Sequence, residues 1–296
     1  GEPTGKSHPE LLYNLKPSPN HGHDQSIVNG ISRIGFMKGG GKALWKDENI
    51  ADSITSHAID FIRRNHEEPF FMYLCTNDIH VPRFPHPRFR GKTDMGHRGD
   101  AIVQFDWTIG EVMKTLKELN IDKNTIIILT SDNGPVVDDG YDDEAVARLG
   151  SHKPSGPLRG NKYSSFEGGT RVPFIVSWPH GINKAKDSEA LVSQIDLFAS
   201  FAQMLNARLP KGSCPDSRKH WDALVGKDSK GCEYVVEQNL WNVLSIRTND
   251  WKYIEPSNGA SYMKLTDIET GNSPLPQLYD MNHEGEKVNL AEEHPD

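Results

Sequence analysis

The oxygen-bearing side chains of Asp132 and Asn133 are the first candidates for chemistry, because they come just after an apolar run at Thr125–Thr130. A carboxylate and an amide carbonyl are hard oxygen ligands, which suit calcium or magnesium better than zinc. The sequence Asp-Asn-Gly is also an ordinary turn. On its own, the tripeptide leaves two interpretations open, a cation site and a plain turn at the end of a strand.

Two other polar side chains could act on a charged substrate. Lys162 could hold an oxyanion as a point charge, although a lysine beside glycines can equally be a solvated side chain. His80 could donate a proton to a leaving oxygen, or it could only hydrogen-bond a neighbouring carbonyl. The basic residues Arg83, His86 and Arg88 follow His80, and they could contact an anionic substrate or remain solvated.

The cysteines and one histidine cluster give little support for a metal site. The chain has three cysteines and no Cys-x-x-Cys pair, which argues against zinc. Cys75 lies in an apolar run and is predicted to be a core residue. Cys214 and Cys232 could form a disulfide in an exported protein, or they could be separate thiols. His21-Gly-His23-Asp24 resembles metal-ligand spacing but lies in irregular loop sequence without a third anchor.

Hydrophobic periodicity predicts the elements that must position these side chains. Helical spacing of apolar residues predicts three helices, over roughly 48–62, 100–120 and 196–206. Short apolar runs predict three strands, at 69–75, 125–130 and 172–178. The first of these runs is typical of a doubly covered parallel strand. This succession favours an α/β sheet covered by helices on both faces.

The C-terminal part of the chain has a different pattern. Short strands are predicted at 234–237, 243–247, 251–254 and 277–280. Asn249-Asp250 predicts a tight hairpin between two of them. We therefore predict that residues 1–209 belong to an α/β domain. Residues 210–296 would form a connector and a small antiparallel α+β subdomain.

Composition limits the class of protein. A chain of 296 residues with 35% hydrophobic content suits one large globular domain, alone or with one small domain. No apolar segment is long enough to predict a membrane span. The net charge of -8 argues against nucleic acid as a partner. The chain starts without Met or a signal peptide, and we expect it to be a fragment of a longer protein.

Several motifs, taken together and in order, resemble the type I sulfatases, the formylglycine-dependent arylsulfatase family. The motifs are His80-x-Pro82, Ser131-Asp-Asn-Gly134, Gly156-Pro-Leu-Arg-Gly-Asn-Lys162 and Phe166-Glu-Gly-Gly-Thr-Arg-Val-Pro-Phe174. Segments 246–254 and 278–290 are similar to that family's C-terminal subdomain. The resemblance runs from about Glu48 to the end of the chain. It implies an alkaline-phosphatase-like fold and hydrolysis of a sulfate monoester, most naturally a sulfated carbohydrate.

The resemblance also implies a role for each candidate residue. Asp132 and Asn133 would be ligands of calcium, with magnesium as the alternative ion. Lys162 would grip a sulfate oxygen, and His80 would contact the ester oxygen or assist its departure. A formylglycine hydrate would attack sulfur, with calcium and lysine offsetting charge on the sulfuryl oxygens. Glu167–Arg171 is interpreted as structural, a tight turn with an Arg–carboxylate pair.

The family's nucleophile signature, Cys-x-Pro-x-Arg, does not occur in this chain. The nearest match, Ser213-Cys-Pro-Asp-Ser-Arg218, places its proline one position too early, and we interpret it as a linker. We expect formylglycine in an N-terminal segment that complements this chain. Without that segment the chain is expected to be inactive. From the family we also expect export to the periplasm or the exterior.

Two rival functions remain open at this stage. One is a phosphomonoesterase or phosphonate hydrolase on the same fold, which would use zinc and several His and Asp ligands. The other is a non-catalytic module that binds sulfated glycans through Lys162 and His80. Asn133 beside Asp132, together with the Lys162 motif, favours calcium and sulfate over zinc and phosphate. A Cys-x-Pro-x-Arg motif upstream would separate an enzyme from a binding module.

Overall fold

The computed structural model describes residues 47–81, 83–139, 141–283 and 285–294, with residues 16–17 and 141–142 as backbone only. The cluster at 21–24 lies outside these described residues. The chain divides into two compact units. Unit 1 contains residues 1–123 and 136–154, and unit 2 contains residues 124–135 and 155–296. The domain boundary predicted at 209 stays a prediction.

Unit 1 is built around two helices, α1 (Ile50–Asn65) and α2 (Gly96–Glu118), which confirm the first two predicted helices. The buried face of α1 carries Ala51, Thr55, Ala58 and Ile62 at helical spacing. That face packs against α2. At the contact, the hydroxyl of Thr55 donates a hydrogen bond to the hydroxyl of Thr108 over 3.1 Å, which satisfies two buried polar groups.

Among the described residues, the segment at 69–75 pairs with no other strand, so the strand predicted there stays a prediction. The segment is extended but belongs to no sheet there, and its residues alternate between exposed and half-buried. Phe70 packs edge-to-face on Phe61 of α1, with ring centroids 5.7 Å apart. Phe71 and Tyr73 are 73% and 83% exposed, and Cys75 is exposed rather than in the core.

Unit 2 contains the other two predicted strands. β2 (Ile127–Thr130) pairs with β4 (Phe174–Ser177) in an antiparallel register that sets Thr130 opposite Phe174. A 3-10 turn at Gln194–Asp196 leads into helix α4 (Leu197–Met204), which confirms the third predicted helix. The register matters for the site, because it places the end of β2 beside the start of β4.

The C-terminal part of unit 2 is a four-stranded antiparallel sheet, as predicted. Its strands are β5 (Val235–Gln238), β6 (Leu244–Arg247), β7 (Trp251–Ile254) and β10 (Gln277–Asp280), in the order β10-β7-β6-β5. The hairpin at Asn249-Asp250 is confirmed, and the N–H of Thr248 donates to the carbonyl of Trp251 over 2.8 Å. The core of this part contains Phe166, Val243, Ile254 and Tyr279.

The remaining elements are short. Unit 2 contains α3 (Glu167–Thr170), α5 (Trp221–Leu224), and the pair β8 (Tyr262–Met263) and β9 (Ile268–Glu269). Unit 1 contains the pair β1 (Lys16–Pro17) and β3 (Tyr141–Asp142). Among the described residues, no helix has the length and apolar character needed to cross a membrane.

Candidate active site

The turn after β2 presents the predicted cation ligands at the surface of unit 2. Asp132 is exposed and Asn133 is half-buried. Oδ1 of Asp132 accepts hydrogen bonds from the N–H of Asn133 at 3.0 Å and from the hydroxyl of Ser131 at 3.4 Å. The side chain of Gln194 donates to the carbonyl of Ser131 over 2.6 Å. These hydrogen bonds hold the turn in one conformation. The same turn presents the two oxygen-bearing side chains, so the turn and cation-site interpretations do not exclude each other.

Glycines allow three backbone segments to pack directly against one another behind this turn. The N–H of Gly134 donates to the carbonyl of Gly169 over 2.8 Å, and the N–H of Gly168 donates to the carbonyl of Arg159 over 2.7 Å. A Cβ atom on Gly134 would lie 1.8 Å from the carbonyl oxygen of Gly168. A Cβ atom on Gly168 would lie 2.2 Å from the carbonyl oxygen of Gly160. Gly134 and Gly168 are therefore required by close backbone approach.

Lys162 is tied to the same region of unit 2. Its backbone N–H donates to the carbonyl of Pro135 over 2.8 Å, two residues beyond Asn133 in the chain. Its ammonium lies 5.1 Å from the centroid of the Tyr163 ring, within the range of a cation–π contact. The structure therefore brings together the segments that carry Asp132, Asn133 and Lys162, as the motif order predicted.

The donor atoms of the turn fit a hard divalent cation. The amide nitrogen of Asn133 donates to the carbonyl of Gly134 over 2.8 Å, which commits that end of the side chain. Within the described part of the chain, Oδ2 of Asp132 and Oδ1 of Asn133 receive no hydrogen bond. Two oxygens, one of them charged, match what calcium or magnesium prefers. Calcium takes six to eight oxygen ligands, so these two residues can supply only part of a coordination shell.

His80 belongs to unit 1 and lies at the surface there. Its Nδ1 lies 2.7 Å from the carbonyl oxygen of Val81, and its Nε2 lies 3.8 Å from Oδ2 of the buried Asp139. The contact with the Val81 carbonyl assigns the proton to Nδ1. This contact fixes the orientation of the ring. It is compatible with proton donation to a leaving oxygen and also with a histidine that only hydrogen-bonds a neighbouring carbonyl. Its predicted role in catalysis stays a prediction.

The basic residues after His80 have partners within unit 1, and the burial of Arg83 shows that it neither is solvated nor can contact a substrate. Arg83 is 3% exposed and pairs with Asp143, with Nη1 and Oδ2 2.7 Å apart. Its guanidinium also donates to the carbonyls of Val136 and Val137, each over 3.0 Å. These bonds hold the segment that carries Asp139 against the segment that carries His80.

Arg88 forms a two-armed ion pair with Asp52 and stacks on an aromatic ring of unit 1. One arm joins Nη1 to Oδ2 over 2.7 Å, and the second joins Nη2 to Oδ1. The guanidinium carbon lies 4.4 Å from the centroid of the Trp107 ring. The nitrogen Nδ1 of His86 accepts a weak hydrogen bond from the N–H of Arg88 over 3.3 Å. These contacts occupy the basic side chains within the unit.

Asp78 is a titratable group near His80 that sequence reasoning did not identify. The side-chain amide of Gln104 donates to both of its oxygens, over 3.2 and 3.0 Å. Burial raises the pKa of Asp78 to about 6, and the hydrogen bond from Gln104 offsets only part of that effect. A carboxyl with this pKa changes its charge within the range where many hydrolases work.

The structural interpretation of Glu167–Arg171 is supported, but the sequence did not reveal the main partner of Glu167. The guanidinium of Arg171 lies 3.5 Å from Oε2 of Glu167. Lys252 of β7 is fully buried, with Nζ 3.5 Å from Glu167, 3.1 Å from Glu237 and 3.2 Å from Glu286. We call Lys252 and these three glutamates the buried charge cluster. It joins the Phe166–Phe174 motif to the C-terminal sheet.

Comparison with known proteins defines the family. A sulfatase family profile matches residues 5–207, and the chain belongs to the sulfatase family. An N-acetylgalactosamine-6-O-sulfatase of Bacteroides thetaiotaomicron is 55% identical over 295 residues, which is 99% of this chain and 57% of that relative. The steryl-sulfatase of Homo sapiens is 33% identical over 183 residues, which is 62% of this chain and 31% of that relative.

Solved structures support the same conclusion. A structure from work on the metabolism of multiple glycosaminoglycans by Bacteroides thetaiotaomicron superposes with a TM-score of 0.92 at 54% identity. It covers 100% of this chain, which in turn covers 61% of that structure. The predicted α/β, alkaline-phosphatase-like fold class is confirmed by this likeness. The chain spans less than two thirds of the length of these relatives.

Proposed function

We propose that the complete protein is a carbohydrate sulfatase that hydrolyses a 6-O-sulfate ester on an N-acetylhexosamine. The observation that carries the proposal is the turn after β2, where oxygens of Asp132 and Asn133 lie on a segment hydrogen-bonded to Lys162. The 55% identical relative is an N-acetylgalactosamine-6-O-sulfatase, which supports the choice of sugar and position. The alignment with this relative extends over 99% of this chain, so it spans the segments that carry the candidate residues.

The proposed reaction is R–O–SO₃⁻ + H₂O → R–OH + SO₄²⁻ + H⁺. The S–O bond to the sugar breaks, and a new S–O bond forms to an oxygen that derives from water. Charge on the sulfuryl oxygens must be offset throughout, because those oxygens are already anionic in the substrate. Lys162 supplies a fixed positive charge for one of them. A cation held by Asp132 and Asn133 would supply Lewis acidity for others.

His80 is proposed to meet the ester oxygen that leaves with the sugar. That oxygen develops negative charge as the S–O bond breaks, so a donor at Nε2 lowers the barrier. The contact with the Val81 carbonyl keeps a proton on Nδ1 and orients the ring, so donation from Nε2 requires a ring protonated at both nitrogens, which the nearby carboxylate of Asp139 favours. The nucleophile is proposed to be a formylglycine, which would supply a geminal diol oxygen for attack on sulfur. It would lie on a segment that complements this chain.

The complementing segment is also proposed to cover the extended segment at 69–75. The thiol of Cys75 on that segment is exposed, whereas cysteine is among the residue types most often buried, and a neighbouring strand would cover it. The 55% identical relative contains a further 43% of its length beyond the aligned region, since the alignment covers 57% of it. That length is ample for strands of the missing part of an α/β domain.

The test is a hydrolysis assay on the complete gene product with N-acetylgalactosamine 6-sulfate, the matching 4-sulfate and the 6-phosphate. We expect sulfate release from the 6-sulfate alone, with the 296-residue chain inactive by itself. Asp132→Asn should lower the rate by about 100-fold or more, with the melting temperature unchanged, because one charged oxygen ligand is lost. The exposed Asp94→Asn is the matched control and should keep full activity.

The outcomes of this assay separate the rival functions. Release of phosphate in place of sulfate would identify a phosphomonoesterase. Retained affinity for the 6-sulfate without turnover would identify a glycan-binding module. A fully active Asp132→Asn enzyme would remove the turn after β2 from the active site, whatever the substrate.

A further inference from the structure

A cluster of three metal-ligating side chains lies in unit 2, outside the candidate active site. Asp196 ends the 3-10 turn before α4, His220 precedes α5, and Cys232 follows a short parallel bridge between Leu191 and Gly231. One ligand atom from each of the three residues lies within 4.8 Å of the other two. We propose that Asp196, His220 and Cys232 bind one zinc ion.

The burial of the ligand atoms favours a site over a chance surface cluster. Asp196 is 3% exposed and Cys232 is 1% exposed. Nε2 of His220 is buried and has no hydrogen-bond partner among the described residues. A buried imidazole nitrogen without a partner loses hydration without compensation. A zinc ion at the centre of the cluster would satisfy it.

The three ligand types match zinc chemistry. Zinc is bound in proteins by cysteine sulfur, histidine nitrogen and carboxylate oxygen, in tetrahedral geometry. Three protein ligands leave the fourth position for water. Sγ of Cys232 lies 3.1 Å from Oδ2 of Asp196, somewhat closer than the about 3.5 Å that separates such ligand atoms on one tetrahedral zinc, so a small outward shift would admit the ion. Hard cations such as calcium do not favour a thiolate, so the sulfur selects zinc.

Hydrogen bonds from outside the cluster hold each ligand in place. Oδ1 of Asp196 accepts from the N–H of Arg218 over 2.6 Å, which leaves Oδ2 to face Cys232. The N–H of Cys232 donates to the carbonyl of Leu191 over 2.7 Å, and the N–H of His220 donates to the hydroxyl of Ser200 over 2.9 Å. Partners of this kind orient metal ligands and strengthen binding. The site would thus join three loop segments of unit 2.

Zinc binding at this cluster must release a proton. In the absence of metal, the thiol of Cys232 donates a hydrogen bond to Oδ2 of Asp196, so the sulfur carries its proton. On binding, the S–H bond breaks, the proton passes to solvent, and a Zn–S bond replaces one bond between zinc and water. The apparent affinity for zinc should therefore rise with pH.

The spacing of these residues explains why sequence inspection gave no sign of a zinc site. The ligands are separated by 24 and 12 positions, and the fold brings them together without any Cys-x-x-Cys pair. The disulfide that the sequence left open between Cys214 and Cys232 does not form, because both are free thiols. Cys232 is thus available as a ligand.

The experiment uses the 296-residue chain loaded with zinc or cobalt and then freed of loosely held metal by gel filtration. We expect one zinc per chain by elemental analysis and a higher melting temperature with zinc than with chelator. The cobalt form should show a sulfur-to-metal charge-transfer band and the visible bands of a tetrahedral site. Cys232→Ser and His220→Gln should each weaken zinc binding by at least about 100-fold. Cys214→Ser is the matched control and should bind normally.

The measurements separate a zinc site from a simple hydrogen-bonded cluster. A zinc content below about a tenth of an equivalent per chain, which is on the order of background adsorption, would overturn the proposal. Equal zinc retention by Cys232→Ser and the wild type would also overturn it. If Cys232→Ser does not fold, the substitution His220→Gln at a half-exposed position is used instead. The cobalt form of this variant should lose the visible bands of a tetrahedral site, and a spectrum equal to that of the wild type would overturn the proposal. Neither measurement depends on sulfatase activity, so each stands or falls separately from the proposed function.

Discussion

At the scale of single residues, the sequence identified side chains by motif but could not assign their partners. Asp132, Asn133 and Lys162 were recognisable because they lie in ordered motifs, and the structure brings their segments together. Arg83 was misread because a sequence shows its charge but not its burial. Its partner Asp143 is 60 positions away. Lys252 was missed as a charge centre for the same reason, since its three glutamate partners come from separate segments.

The raised pKa of Asp78 predicts a pH-dependent contribution to the stability of unit 1. Because the folded-state pKa of about 6 lies above the ordinary 3.8, the folded protein binds this proton more tightly than the unfolded chain does. The contribution is therefore fully present below pH 3.8 and is lost as the pH rises through about 6. It amounts to at most about 3 kcal/mol.

The test of this prediction is urea unfolding of the wild type and Asp78→Asn between about pH 4 and pH 7. The wild type should lose stability relative to the variant as the pH rises, because the variant cannot titrate at this position. The exposed Asp94→Asn serves as control and should follow the wild type. Parallel stability curves for the wild type and Asp78→Asn would show that this carboxyl does not control stability.

At the scale of elements, hydrophobic periodicity predicted helices better than strands. The helices α1, α2 and α4 were recognisable because each buries its own periodic face and satisfies its own backbone hydrogen bonds. A strand depends on its neighbour, so the run at 69–75 could not be assigned from its own residues. β2 and β4 pair in an antiparallel direction. Hydrophobic periodicity could not predict this direction, because the direction depends on the partner strand.

The close backbone packing behind the turn after β2 predicts a severe effect of a single methyl group. Gly134→Ala would place Cβ 1.8 Å from the carbonyl oxygen of Gly168, so the backbone must shift. We expect a loss of about 1–3 kcal/mol or more in the free energy of unfolding. We also expect weaker cation binding, because the turn that holds Asp132 must move. Both are measurable by urea unfolding and calcium titration.

Gly110→Ala is the matched control for this substitution. Gly110 lies within α2, and a Cβ atom there meets nothing within 4 Å. Alanine favours a helix over glycine by up to about 1 kcal/mol, so this variant should be neutral or slightly stabilised. A Gly134→Ala protein as stable as Gly110→Ala would mean that the close approach at Gly134 relaxes without cost.

The buried charge cluster predicts how β7 is held to the Glu167 motif in unit 2. Lys252→Met removes the cation and leaves the carboxylates of Glu167, Glu237 and Glu286 around an apolar side chain. Removing one partner of a buried ion pair costs about 3–5 kcal/mol, because the remaining charges stay desolvated. Urea unfolding should show this loss. Exposed Lys264→Met should change stability by less than about 0.5 kcal/mol, and an equal effect of both variants would contradict the prediction.

At the scale of the whole molecule, the order of motifs identified the family, while the extent of the protein had to come from comparison. The sequence motifs run from His80 to the C-terminal sheet, and the similarity to the sulfatase relative extends over 99% of the chain. Motifs alone could not show which side chains of this chain are exposed. The structure adds this information through exposure, since apolar residues are normally buried and a contiguous exposed patch marks an interaction surface.

The exposed thiol of Cys75 provides a direct test of the proposed cover over the segment at 69–75. In the 296-residue chain Cys75 is exposed, Cys214 is half-buried and Cys232 is buried. A maleimide reagent should therefore modify Cys75 rapidly in this chain, and mass spectrometry of tryptic peptides can follow each thiol. In the complete gene product we expect the labelling rate at Cys75 to fall by at least about tenfold. A neighbouring strand would cover the thiol, and the reagent could then reach it only when that strand opens locally. The rate at Cys214 should stay the same and serves as the internal control.

Equal labelling of Cys75 in both proteins would show that the complementing segment leaves this surface open, and would direct the search for its docking site elsewhere.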